Sequence, residues 1–200
     1  MAFSNFKNVQ QVIQAYPLQL VHKRLLPDTQ IELPESFLDD LDFSLERQGM
    51  KESEAFLCEN FIWPFLHRTW KQHKRVKIWS HAELKYDEVL SGEPDYFLSR
   101  WLDEVTDTLI KTPLLAVIEA KRQDFDEGWG QCLAAMLACQ KINDDDHLTV
   151  YGIVSSGLVW EFGKLEAQCF TKEPFGHSID NPQKLAGILD YLFTECEKQI

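Results

Sequence analysis

Residues 114–121 read Leu-Leu-Ala-Val-Ile-Glu-Ala-Lys, and no other stretch constrains this chain as much. The run opens with five apolar residues, as a strand of the interior does, and Pro113 stands at its first position, where a proline is tolerated. It ends in Glu119 and Lys121. Side chains alternate faces along a strand, so residues two apart share one. Glu119 and Lys121 therefore project together from the end of a buried strand, beside Leu115 and Val117. Charges are seldom placed there without partners, because desolvating them is costly. An acid from a neighbouring element would complete a set of two carboxylates and a lysine. Asp95, after Pro94 in Gly-Glu-Pro-Asp-Tyr-Phe-Leu, is the candidate. Two adjacent carboxylates suit a hard cation such as Mg²⁺, which takes oxygen ligands.

Pro94-Asp95 on one strand and Glu119-Ala120-Lys121 on the next resemble the PD-(D/E)xK nuclease superfamily, over about residues 50 to 195. The pattern is similar to restriction-endonuclease-like proteins of the type I restriction subunit kind. The resemblance implies an α/β fold, a restriction endonuclease-like mixed sheet flanked by helices, over residues 49–200. Residues 1–48 would be an N-terminal helical extension packed on it. The implied activity is hydrolysis of phosphodiester bonds with Mg²⁺ or Mn²⁺, by an endonuclease or an exonuclease. Nucleic acid would be the partner, DNA ahead of RNA. Homodimers are common in the family, and the oligomeric state stays open.

Roles follow from the same resemblance. Asp95 and Glu119 would ligate the metal, joined by the backbone carbonyl of Ala120. Lys121 would orient or deprotonate the attacking water, or stabilise charge on the scissile phosphate. Glu54, with Glu59 as second choice, matches the acidic residue that many members place on the first core helix, where it would hold a metal-bound water or a second ion. Gln131 stands ten residues past Lys121 and would help hold substrate or the active site. Relatives often carry Tyr four residues after that Gln. Ala135 stands there in this chain, so only half of the motif is present. A competing expectation is a nuclease-like fold used for binding or assembly, without turnover. A nucleotide or sugar-phosphate hydrolase would need a glycine-rich phosphate loop, and none is present.

The net charge of −12 argues against a nucleic-acid enzyme, since phosphate backbones attract Lys and Arg. Residues 67–77 nevertheless gather Arg68, Lys71, Lys74, Arg75 and Lys77 without an acid. This segment reads either as a local phosphate-binding patch or as a solvated helix end whose cations complement the dipole. Arg122, next to Lys121, is a further candidate for substrate contact. Trp129, between Gly128 and Gly130, would stack on a base or pack in the core. The five cysteines form no zinc-spaced cluster and read as reduced, mostly buried thiols. No stretch is apolar and long enough to span a membrane, and Met-Ala-Phe-Ser-Asn lacks the layout of a signal peptide, so the expected location is the cytoplasm.

Helical spacing of Phe6, Val9, Ile13 and Tyr16 predicts a helix over 4–16 capped by Ser4, followed by an extended piece at 30–33 and a helix from Pro34 to Gly49. A long helix over 51–71 starts near Ser53, with Pro64 as a kink or restart. Strands follow over 77–89 and 95–101, then an acidic hairpin connection at 103–108 and the central strand at 113–120. Gly128 and Gly130 precede a helix running to about Lys141, with Gln131 in its first turn. Two strands separated by a Ser-Gly turn, an edge strand at 166–171 and a helix opened by Asn181-Pro182 complete the chain.

Overall fold

A computed structural model of the chain describes residues 3–49, 51–102 and 109–200. The protein is α/β, with a mixed central sheet flanked by helices. Along the chain come α1 (Val9–Ala15), β1 (Gln19–His22), α2 (Glu35–Arg47), α3 (Glu54–Leu57), a π-helical turn (Cys58–Ile62) and α4 (Trp63–Trp70). Then follow β2 (Val76–Ser80), β3 (Leu84–Lys85), β4 (Ser91–Gly92), β5 (Tyr96–Arg100) and β6 (Leu114–Ala120). The remainder is α5 (Phe125–Asn143), β7 (Val150–Ser155), β8 (Val159–Glu166), β9 (Cys169–Lys172), β10 (His177–Ser178) and α6 (Pro182–Glu197). The expected connection at 103–108 lies outside the described residues.

The sheet runs β1-β9-β8-β7-β6-β5-β2, with β10 added on β8, and β3 pairs with β4 separately. Among the described residues, only β6 with β7 and β1 with β9 are parallel. Parallel neighbours need a crossover, which α5 supplies between β6 and β7. All seven residues of β6 are buried, because helices cover both faces of the strand. On one face the π turn, α4 and α6 contribute Phe61, Phe65, Leu189 and Phe193 to a core that includes Ile118 and Ala120. On the other, α5 meets Val117 and Val154.

Helix α5 is apolar all round, and residues 128–140 are buried throughout. Such a helix must be covered on its outer side as well. Phe3, Phe6 and Val12 of the N-terminal segment and Leu84 and Leu90 of the β3–β4 hairpin do this. The first forty-odd residues thus join the core on both sides of the sheet: Leu41 of α2 packs with the α4–α6 layer, and β1 extends the sheet along β9.

Several local expectations shift. Asn8 rather than Ser4 caps α1, its side chain accepting from the Gln11 N–H at 3.0 Å. Residues 30–33 form no strand; Ile31 N–H instead donates to the Gln183 carbonyl at 3.1 Å, tying this piece to α6. The strand of that region is β1, whose four residues are all exposed, so it carries no alternating pattern and exists through pairing with β9. The expected strand at 77–89 divides into β2 and the start of the hairpin. Ser53 caps α3 as expected, accepting from the Phe56 N–H at 3.1 Å. Pro64 restarts the helix after a π turn, in which the Trp63 N–H reaches back to the Cys58 carbonyl. The wider turn avoids the clash that a helical proline makes one turn upstream.

Helix α5 begins earlier than its glycines indicate. Asp124 caps it, accepting from the Glu127 N–H at 2.9 Å, and both glycines lie inside it. Gly130 is explained by close approach: a Cβ there would fall 2.5 Å from the Phe6 carbonyl oxygen and 2.6 Å from the Asn8 nitrogen. Backbone cannot swing aside as a side-chain tip can. Gly130→Ala is therefore expected to destabilise the protein by about 1–3 kcal/mol, although alanine is the better helix former. Urea denaturation measures this, and unchanged or increased stability would contradict the packing described.

Candidate active site

The β5–β6 ladder ends where Tyr96 faces Ile118. Two residues further along β6, the Ala120 N–H has no backbone partner on β5, and the Asp95 carboxylate takes it at 2.7 Å through Oδ2. Asp95 is thereby turned toward the end of β6. On the other side the Lys121 N–H donates to the Ser155 carbonyl at 2.9 Å, which fixes the strand's exit against β7. Glu119 projects onto the α5 face with Val117; Leu115 does not share it, because a register shift between Leu98 and Ser99 moves Leu115 into the opposite core cluster.

The two carboxyl groups are close enough for the Asp95 charge to act on Glu119. Glu119 is only 5% exposed. Burial first, and then the charge of Asp95, hold its carboxyl well above the usual carboxylate range, with Lys121 opposing. Asp95 is also raised, chiefly by burial, against the Ala120 hydrogen bond and the positive fields of His81 and Lys121. A buried carboxyl beside a second one holds its proton more tightly because two neighbouring anions away from water repel. Lys121 and Glu54 both act on this pair, one lowering and the other raising its proton affinity. Glu54 also accepts the Arg122 N–H at 3.3 Å. Asp95, Glu119, Lys121, Glu54 and Arg122 thus converge, at the carboxyl end of the parallel β6–β7 pair. Open α/β sheets form crevices there.

Other expected residues lie elsewhere. Gln131 sits in the second turn of α5, not the first, and its side-chain amide donates to Glu127 at 3.0 Å. Glu127 in turn receives Lys7 at 2.8 Å, so Gln131 braces the N-terminal segment. Trp129 is 1% exposed, with its indole N–H on Glu161 at 2.5 Å, and no base can stack on it. Its buried position in α5 decides for core packing. The basic segment is distant from the carboxylates. Trp101 N–H donates to the Arg75 carbonyl at the end of the β2–β5 ladder opposite Asp95, about 20 Å away at roughly 3.3 Å per residue. The Arg75 guanidinium binds the carbonyls of Glu197 and Ile200, and Arg68 lies 5.8 Å from the Phe37 ring of α2. Lys71 and Lys74 are exposed at that same end. Glu59 is exposed on the α2 side, lining a small cavity with Phe37 and Asp40.

His81 was not legible as a site residue. Its backbone N–H donates to the Asp95 carbonyl at 3.0 Å, and its Nδ1 lies 3.7 Å from Asp95 Oδ1. It adopts a left-handed φ of 47°, uncommon outside glycine. No local signal marks it; the antiparallel pairing of Ser80 with Tyr96 carries it to Asp95. Cys58, beneath the site, is no nucleophile, since burial pushes its thiol up to about 12.

Among the described residues, no group of three or more His, Cys, Asp or Glu side chains is arranged to hold a metal ion. The donor types nonetheless suit a hard cation: two neighbouring carboxyl groups at the strand end where Asp95 meets the Ala120 backbone. A cavity of about 540 Å³, lined by Lys23, Tyr151, Lys164 and Tyr191 among others, opens between the sheet and α6 and includes none of these residues. No helix among the described residues is long and apolar enough to cross a membrane. Compared with known proteins, the chain matches no family model and no curated protein.

The raised carboxyls set a pH dependence. A group whose proton affinity is higher folded than unfolded favours the folded state at low pH and loses that contribution as pH rises through its folded value. Metal-free protein should therefore lose stability from this pair as pH rises above the ordinary carboxylate range. Glu119→Gln, which cannot ionise, is expected to be more stable than the parent at about pH 8 by on the order of 1 kcal/mol, the gap closing toward about pH 4. Urea titrations across that range in chelator test this; a Gln variant less stable at the alkaline end would refute it.

Proposed function

We propose that the protein is a metal-dependent nuclease with a restriction endonuclease-like fold that hydrolyses phosphodiester bonds in DNA. The observation that carries this reading is the meeting of Asp95, Glu119 and Lys121 at the end of β6, two acids and a lysine brought together where the β5–β6 ladder stops. A site free of chemistry has no physical need to bury two carboxyls against each other, because the arrangement costs stability.

Asp95 and Glu119, with the Ala120 carbonyl, would hold Mg²⁺ or Mn²⁺. The bound cation supplies a lowered pKa for water and positive charge for the leaving oxygen. Lys121 orients the attacking water and offsets negative charge on the phosphate. Glu54 faces the same carboxyls and accepts a hydrogen bond from a water there. Arg122, exposed beside Lys121, meets a neighbouring phosphate.

A second reading, a nuclease-like fold serving as a binding or assembly module, draws support from the engagement of Gln131 with Glu127 and from the net charge of −12. Calorimetry with Mn²⁺ separates the two. The nuclease reading expects binding that depends on Asp95 and Glu119 and tightens as pH rises, since both must lose protons to ligate. No carboxylate-dependent binding favours the module.

Purified protein with Mg²⁺ or Mn²⁺ is expected to nick or degrade DNA. Asp95→Ala, Glu119→Ala and Lys121→Ala should each lower the rate by about a hundredfold or more. Absence of cleavage across single-stranded, double-stranded and branched DNA, and RNA, would refute the catalytic claim.

A further inference from the structure

Gly128 occupies the first turn of α5, where glycine costs about 1 kcal/mol relative to alanine. What glycine provides there is space. A Cβ at this position would lie 2.6 Å from Val154 Cγ1 and 2.8 Å from Lys121 Cγ, with Lys121 Cβ next at 3.6 Å. The aliphatic stem of Lys121 therefore runs directly over the bare Gly128 backbone. From there its ammonium acts on both Asp95 and Glu119. The contact is close to the root of the side chain, so relief would come through χ1, and staggered wells lie far apart. A rotation there carries the ammonium several ångströms from the carboxyls.

We infer that Gly128 is a positioning residue for Lys121: the missing side chain on α5 is the groove in which the lysine stem is held toward the Asp95–Glu119 pair. The catalytic consequence rests on the nuclease reading above; the positional claim does not. The lysine enters as the residue whose direction is set, and Gly128 touches neither substrate nor metal. The groove has two walls, Lys121 and Val154, and a test must separate them, since a Cβ against Val154 alone would perturb packing without bearing on the lysine.

The comparison is between Val154→Ala, which removes the Cγ1 wall, and Gly128→Ala/Val154→Ala, in which the lysine stem is the remaining close neighbour of the new Cβ. Both are labelled by reductive ¹³C-methylation, and the Lys121 signal is identified by its loss in Lys121→Arg. The double variant is expected to shift the Lys121 signal while leaving the other lysines unmoved. Its kcat on DNA should fall about tenfold to a hundredfold below that of Val154→Ala, with KM and Mn²⁺ affinity little changed. An unmoved Lys121 signal, or a moved signal with unchanged kcat, overturns the positioning role. Absence of turnover in the unmutated protein overturns the nuclease reading instead, and the signal still decides where Gly128 places the lysine.

Discussion

The β5–β6 ladder stops at Tyr96 and Ile118 while β6 continues to Ala120. That inequality leaves one buried backbone N–H without a strand partner, and a buried donor left unpaired costs as much as a lost hydrogen bond. Asp95 fills the vacancy from just before β5. In doing so it is fixed against the strand that carries Glu119, and the pair of carboxyls follows from ordinary sheet accounting. The geometry of the site is thus inherited from where two strands of unequal reach come to an end.

Burial of β6 on both faces gives that arrangement its electrostatic character. Helices α4 and α6 cover one side and α5 the other, so burial holds the Glu119 carboxyl well above the usual carboxylate range. The same burial makes α5 apolar around its whole circumference and requires the N-terminal segment and the β3–β4 hairpin as a second cover. The two glycines of α5 mark opposite ends of this demand. Gly130 admits the backbone of residues 6–8 on the outer side, and Gly128 admits Val154 and the lysine stem on the inner side.

Much of this could be read along the chain. The run 114–121 announced a buried strand ending in charge, Ser53 and Asn181 capped the helices they precede, and Pro64 interrupted its helix. These are local effects, carried by hydrogen bonds and sterics within a few residues. The errors share a different origin. Gly128 and Gly130 looked like a helix boundary because glycine usually breaks helices, whereas here it answers contacts with residues distant in sequence. Trp129 stayed open between stacking and packing because solvent exposure is not written in a single residue type, and its burial decides for packing. β1 was invisible because an exposed four-residue edge strand has no pattern of its own.

The sequence by itself determined which groups could meet: a carboxyl after Pro94, a carboxyl and a lysine at the close of an apolar strand, and a cluster of cations at 68–77. Those identities rest on local pattern and the alternation of strand side chains. Only the tertiary structure decided which of them did meet. Antiparallel pairing of β2 with β5 sent the cations to the far end of the sheet and brought His81 to Asp95, a residue with no signal in its own neighbourhood. Strand register is a cooperative property of whole ladders. A single slip reverses which face and which end every side chain occupies, so it is settled by the packing of the entire core.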